Sequence, residues 1–448
     1  MVDEDATESW HEARLIPTSG ISGADEQERR ATSALLAVMS IVKEFGLTLL
    51  KPLGAPAGNF ETYIEVPFDT GDRKIYPDGL IRVSRGKATW TALVEVKTGK
   101  NELAAEQLEA YLDLAREHRF DALLTISNEI PPMFGVHPTK VDGRKLRKVD
   151  LHHRSWSYVL STAVMQAEHK GISDPEQAWI LRELIRYLEH PRSGAMEFSD
   201  MGQHWVTLRN AVRTQTLRAT DPSVPDVVAR FDALIRFACL RLGRQLGTEI
   251  VPGLSRKERA DPQIRTQDLT RSLTEAGQLT GAVKIPATVG SVHLTADLRA
   301  SQITAHISID APRTGRQATR VNWLVRQLKN APGDTRIEAL VANSRGPGAA
   351  ELLSVVRDDP SVLVIDPKKE IRSFRIAYSA PMGTKVARGR GSFIDSVLDL
   401  LDTFYADVVQ HLKSWSAPPP RLREAESEPE PALSSTALSS QDGAVAER

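Results

Sequence analysis

The sequence predicts an α/β protein, with an αβββαβ unit near the N-terminus, a helical middle region and a second, α+β domain towards the C-terminus. Three observations predict it. Between residues 25 and 127 the apolar spacing runs in the order helix, three strands, helix, strand. From 151 to about 250 the spacing is helical throughout, and beyond 290 alternating runs return among helix-spaced ones. At 448 residues the chain is also too long for one ordinary core, so two or three domains are expected.

Residues 1–22 are polar and aperiodic and read as a flexible arm. From Asp25 to about Phe45, the positions Leu35, Leu36, Met39 and Val42 recur at helical spacing. FETYIEVPF (60–68) alternates as a strand does. Two further strands, 79–85 and 88–94, form a hairpin. NELAAEQLEAYLDLAREH (101–118) is an amphipathic helix through Leu103, Leu108, Tyr111, Leu112 and Ala115, and DALLTIS (121–127) is a short buried strand. These elements set a first domain at 23–135. The helical region, 136–254, contains SWSYVLSTAVMQAEH, PEQAWILRELIRYLEH and DVVARFDALIRFACLRLGRQL. Polar SRKERADPQIRTQD (255–268) reads as a linker. The last domain, 269–415, opens with strand-like runs at 291–297 and 302–309. Helix RQATRVNWLVRQLKNA, strand RIEALVAN, helix AAELLSVVRD and strands VLVID and FRIAYSA follow, and SFIDSVLDLLDTFYADVVQHLKSW closes it as a helix. Residues 416–448 lack the apolar content to order themselves and are expected to form a disordered tail.

Formal net charge is -1, so no global positive field attracts a polyanion, and any nucleic-acid surface must come from local clustering. The single cysteine, Cys239, excludes an internal disulfide and reads as a buried thiol in LIRFACL. No apolar run approaches the ~20 residues that span a bilayer. The acidic start, MVDEDATESWHEAR, lacks a signal-peptide apolar region. A cytoplasmic protein without a membrane partner is expected.

Chemistry concentrates in the hairpin. Gly86-Lys87 is a two-residue loop with glycine where a type II′ turn needs it. In that register Gly79 faces Val94, and the next step sets Asp78 opposite Glu95. Ile81, Val83, Trp90, Ala92 and Val94 then share the core side, while Asp78, Leu80, Arg82, Leu93 and Glu95 share the other. Lys97 lies two residues past Glu95 and points the same way. Opposed carboxylates ~5 Å apart repel one another, which a hard divalent cation would reverse. A lysine beside that cation can hold a water against a phosphate. The arrangement reads as a metal-dependent phosphodiesterase centre.

Pro77-Asp78, a strand, then Glu95-Val96-Lys97 resembles the PD-(D/E)xK nuclease superfamily, whose core has the αβββαβ order above. Gln107 and Tyr111, four apart on one helical face, match the QxxxY element of its exonuclease-like branch. The resemblance covers residues 24–130. It implies a restriction-endonuclease-like fold, Asp78 and Glu95 as ligands of Mg²⁺ or Mn²⁺, and the Val96 carbonyl as a third. Lys97 would position the attacking water, with Gln107 and Tyr111 supporting the site or touching a phosphate. Glu28 is the candidate for the glutamate that the family often adds from its first helix. Nucleic acid, DNA first, is the implied substrate. The rival class is a non-catalytic nucleic-acid-binding or scaffold protein on the same fold.

Each residue also has a plainer reading. Asp25-x-x-Glu28 fits a capping box, and Pro77-Asp78-Gly79 fits a turn. Glu61 and Glu65 read as solvated charge, and Ser127 and Asn128 as strand terminators. Lys140, Arg144, Lys145, Arg147, Lys148 and Arg154 gather after the unit, either as a solvated run or as a surface tracking a phosphate backbone. His152 and His153 are adjacent and lack the spacing of a helix-borne metal pair. Arg313, Arg316, Arg320, Arg326 and Lys329, with KVARGRG (385–391), could make a second phosphate-facing surface. The last domain could instead meet a protein partner. Oligomeric state is not legible.

Overall fold

The computed structural model describes residues 15–16, 23–69, 74–131, 136–195, 198–342, 347–364, 366 and 369–417. The expected arm and tail lie almost wholly outside them. The first helix, α1 (Ala24–Ile41), carries Leu35, Leu36 and Met39 into the core as the spacing requires. It ends earlier than expected. Val42 leaves helical geometry (φ -95, ψ 82), and α2 (Lys43–Leu50) departs at 108° to α1. The bend brings Phe45, Leu49 and Leu50 back onto the core that Leu35 and Met39 already line.

Strand β1 (Asn59–Ile64) is followed by a short ribbon, β2 (Phe68–Asp69) with β3 (Lys74–Ile75). The hairpin β4 (Gly79–Arg85) and β5 (Ala88–Val96) keeps the expected register, Gly79 on Val94 through Arg85 on Ala88. Gly86 takes φ 60 and Lys87 does not cross to positive φ, as a type II′ turn requires. Helix α3 (Ala105–Glu117) leads to β6 (Ala122–Ser127), parallel to β5. A fifth strand the sequence did not announce, β7 (Asp150–Ser155), lies parallel to β6. The sheet order is β1-β4-β5-β6-β7.

Both faces of this sheet are covered, which is why β5 and β6 read as nearly continuous apolar runs. Ile81, Val83, Trp90, Ala92 and Val94 pack beneath α1, α2, α4 (Trp156–Val164) and α5 (Pro175–Leu188). Leu80, Leu93 and Leu123 pack beneath α3, on Leu108, Tyr111 and Leu112.

The helical region is divided between cores. Helices α4 and α5 belong to the first sheet, whereas α6 (Trp205–Arg213) and α7 (Ser223–Leu246) pack on the second. After β8 (Val251–Pro252), the expected linker 255–268 is helical instead, forming α8 (Arg256–Ala260) and the start of α9 (Pro262–Ala276). Its polar look came from caps: Ser255 and Glu258 close a capping box, and Asp261 caps α9 ahead of Pro262. Leu269 and Leu273 anchor α9 to the core.

The remaining elements are β9 (Gln278–Lys284), β10 (Val292–Asp297), β11 (Gln302–Asp310), α10 (Gln317–Gln327), β12 (Arg336–Val341), β13 (Ala349–Leu352), α11 (Leu353–Asp358), β14 (Ile371–Pro381) and α12 (Phe393–Asp407). Thus AAELLSVVRD is half strand, and the described part of VLVID opens on a 3-10 turn, Pro360–Leu363, begun by the Asp359 cap. The second sheet is antiparallel in the order β13-β12-β14-β11-β10-β9-β8. Its alternating residues, among them Leu294, Ile303, Ile307, Phe374 and Ile376, meet α7 and α12 in one core. Described residues up to Ser414 form one compact unit. No single described helix is long and apolar enough to cross a membrane.

Candidate active site at the end of the hairpin

The ladder of the hairpin stops at Gly79 and Val94, and one step beyond it Asp78 and Glu95 stand side by side. Asp78 is held by its own backbone surroundings: its Oδ2 accepts from Val96 N at 2.7 Å. Glu95 is only 1% exposed. Lys97 Nζ lies 2.7 Å from Glu95 Oε1, an electrostatic contact rather than an aligned hydrogen bond. Among the described residues neither Glu95 oxygen has an aligned donor. A buried carboxylate with an ion-pair contact but no aligned donor is costly, and the proton equilibria register it. Burial first, then the neighbouring Asp78 charge, pushes the Glu95 carboxyl up to about 8. Burial also raises Asp78, against the lowering pull of the Val96 N–H. Burial alone would pull Lys97 down, yet Glu95, Glu28 and Asp78 around it hold it above the usual lysine value.

Glu28 joins this group from α1. Its Oε2 is 3.4 Å from Lys97 Nζ, and its Oε1 accepts from Asn101 Nδ2 at 2.6 Å and Thr98 N at 3.4 Å. The capping-box alternative fails, because the N-cap is Gly23 and no side-chain cap bond forms there. Lys97 thus bridges Glu28 and Glu95. Glu28 is spoken for by three donors and serves to hold Lys97, which differs from the ligand role its family resemblance implies.

Gln107 Nε2 donates to Tyr111 Oη at 3.2 Å, and Tyr111 Oη donates to Tyr76 O at 3.4 Å, just before Pro77-Asp78. Burial, and then the Glu95 charge, pushes the Tyr111 hydroxyl up to about 12, so it stays a donor. The pair therefore supports the loop that carries Asp78.

Sequence reading missed several supports. Trp156 Nε1 donates to Lys97 O at 2.9 Å, tying α4 to the centre. A strap at residues 190–194 crosses its edge: Gly99 N and Asn128 Nδ2 donate to Gly194 O at 2.9 and 2.8 Å, and Gln27 Nε2 donates to Arg192 O at 2.9 Å. Gly194 has φ 75, and a Cβ there would stand 2.4 Å from Gln27 and 2.7 Å from Thr98, so only glycine fits. The one available signal was the polar run Thr98 to Asn101 directly after Lys97.

Next to Glu95 in register is Thr125, and next to Thr125 is His153. His153 Nε2 meets Glu129 O at 2.9 Å and so carries the proton, which leaves Nδ1 to accept from Thr125 Oγ1 at 2.8 Å. His137 Nε2 then donates to Thr125 Oγ1 at 2.8 Å, while its Nδ1 accepts from Thr139 N at 3.0 Å. Burial pushes His153 down to about 3 and lowers His137, so both act as neutral struts.

The other expected residues lie elsewhere. Glu61 and Glu65 are exposed and paired with Arg82 and Arg29, as solvated charge should be. In the basic run, Arg144 is paired with Asp142 at 2.6 Å and Lys145 with Asp113 at 2.5 Å, so each already has a carboxylate partner. Lys140, Arg147 and Lys148 are exposed. Arg320 does not face solvent: it is 5% exposed and donates to Ile371 O, Gly315 O and Arg313 O, bracing the core edge. The second phosphate surface thereby loses its central member. Among the described residues no group of three or more His, Cys, Asp or Glu side chains is arranged to hold a metal ion. The donor set at the centre is two hard carboxylates, one of them without an aligned hydrogen-bond donor, and this fits a divalent cation as a two-carboxylate ligand pair. Comparison with models of protein families, with curated proteins and with solved structures gives no match, so the reading of this centre rests on its own geometry.

Proposed function

We propose that the centre hydrolyses phosphodiester bonds of nucleic acid, DNA being the proposed substrate, with Mg²⁺ or Mn²⁺ held by Asp78 and Glu95 and by the Val96 carbonyl. The single observation that carries the reading is the side-by-side pair of half-buried Asp78 and buried Glu95 with Lys97 against it. Structural stability disfavours such a pair, and a hard cation is the simplest reason to keep it. A bound ion would acidify a water and offset charge on the phosphate.

The chain's own residues do the rest. Glu28 and Glu95 fix the Lys97 ammonium from two sides, so it presents its remaining N–H donors along one direction, where it orients the attacking water and faces a phosphate oxygen. The Trp156 indole fixes the Lys97 backbone. Gln107 and Tyr111 hold the turn that carries Asp78. Lys140, Arg147 and Lys148 are proposed to track the nucleic-acid backbone.

Incubation of the purified chain with linear, circular and single-stranded DNA and with RNA, with Mg²⁺, Mn²⁺ or chelator, tests this. Metal-dependent cleavage that stops with chelator and is lost in Asp78→Ala is expected. Intact substrates under every condition would end the hydrolytic reading. One observation favours a second reading, a non-catalytic binding protein: Lys97 already offsets the charge of Glu28 and Glu95. That reading predicts nucleic-acid binding with neither cleavage nor stabilisation by Mg²⁺.

A further inference from the structure

Where α4 crosses α7, Ser161 Oγ donates to Leu240 O at 3.4 Å, and beside that contact lies a cavity of 470 Å³. The volume is within the ~300–1,000 Å³ typical of small-molecule sites. Its described lining carries four side-chain cations, Arg154, Lys170, Arg236 and Arg244, against the one carboxylate of Glu249. His153 also lines it and adds no charge, since burial pushes it down to about 3. Arg236 is nearly buried, with its side chain 11% exposed. Its partner Asp232, at 2.7 Å, is shared with Arg265 at 3.1 Å, so one carboxylate serves two guanidiniums. Among the described residues nothing accepts from Arg236 Nε. An orphaned buried donor is costly, and an acceptor inside the cavity would relieve it. Arg154 Cζ lies over the Tyr158 ring, 4.8 Å from its centroid, so the lining holds a guanidinium against an aromatic face. Met165 and Leu240 supply apolar lining.

We propose that this cavity binds a small planar anion, a ring system bearing a phosphate or a carboxylate. The excess of cations excludes a metal or an amine. Cationic side chains contributed from β7, α7 and the turn Met165–Lys170 that follows α4 do not suit a long acyl chain. A neutral ligand would leave Arg236 as it is. A ring anion meets the apolar lining, the Arg154–Tyr158 cation–aromatic pair and the unanswered Nε together. The site is separate from the carboxylate centre and does not depend on the hydrolytic reading.

Calorimetric titration of the full chain tests it, with deoxyadenosine 5′-monophosphate as the phosphate probe and 2-naphthoate as the carboxylate probe. Saturable binding of at least one is expected, roughly tenfold or more tighter than inorganic phosphate or deoxyadenosine. The probe that wins identifies the anion. Leu240→Trp, which fills the cavity, should abolish binding. Arg244→Glu, on its rim, should weaken it by about tenfold or more, and decides alone where Leu240→Trp fails to fold. Glu95→Gln should leave it unchanged. Absence of saturable binding by both probes, equal binding of inorganic phosphate, or undiminished binding in the folded variants would overturn the proposal.

Discussion

Glu95 is 1% exposed with its carboxyl pushed up to about 8, so without a cation its proton equilibrium is drawn up towards neutral pH. The sign of the resulting pH dependence follows directly. Between the ordinary value of 4.5 and about 8, the folded chain binds more protons than the unfolded one, so stability falls as pH rises through that window. Below it the stabilisation is fully present, and above it the stabilisation is lost. Asp78, raised too, acts in the same direction. Urea melts across the window in chelator should show a falling midpoint, and Glu95→Gln should flatten the slope and stabilise the metal-free chain above pH 8 by on the order of 1–3 kcal/mol. A steeper slope in Glu95→Gln would contradict the burial argument. For the proposed reaction, Lys97→Ala should lower kcat by roughly 10²-fold or more with the circular dichroism of the wild type. Asn101→Ala, which removes one of the three donors to Glu28, should give a smaller loss that is restored in Asn101→Gln.

The hairpin was legible because two independent rules agree on it. A two-residue loop beginning with glycine fixes the turn, and the period of two then assigns every side chain to a face. One slip would have moved Asp78 and Glu95 to the α1 side. Gly86 has open space around a would-be Cβ, so Gly86→Val probes the backbone alone. It should cost about 1–2 kcal/mol in chemical denaturation, and no cost would remove the II′ assignment. What was not legible has physical causes. Strand β7 hid in KVDLHHRS because a polar sequence need not face water: His153 is buried and met internally by Thr125 and Glu129. Helices α8 and α9 hid behind their capping residues. Glu28 had an equally good local use as a cap, and only the approach of Asn101 and Lys97, distant in sequence, decides against it.

The whole chain organises around separate apolar cores, and this bears on how damage spreads. Leu36 lies in the core under the carboxylate centre, while Phe374 lies in the core of the second sheet. Leu36→Ala and Phe374→Ala should each cost about 2–5 kcal/mol, yet only Leu36→Ala should also weaken Mg²⁺ stabilisation, read as the shift in melting temperature on adding the ion. Equal effects on that shift would mean that the cores act as one. The strap that closes the centre has a further consequence. Glu28, Asp78 and Lys97 are all made before Gly194, whose carbonyl receives Gly99 and Asn128. A growing chain on the ribosome therefore carries every charge of the centre well before it owns the segment that ties down its edge, and the centre is completed only when nearly half of the synthesis is done.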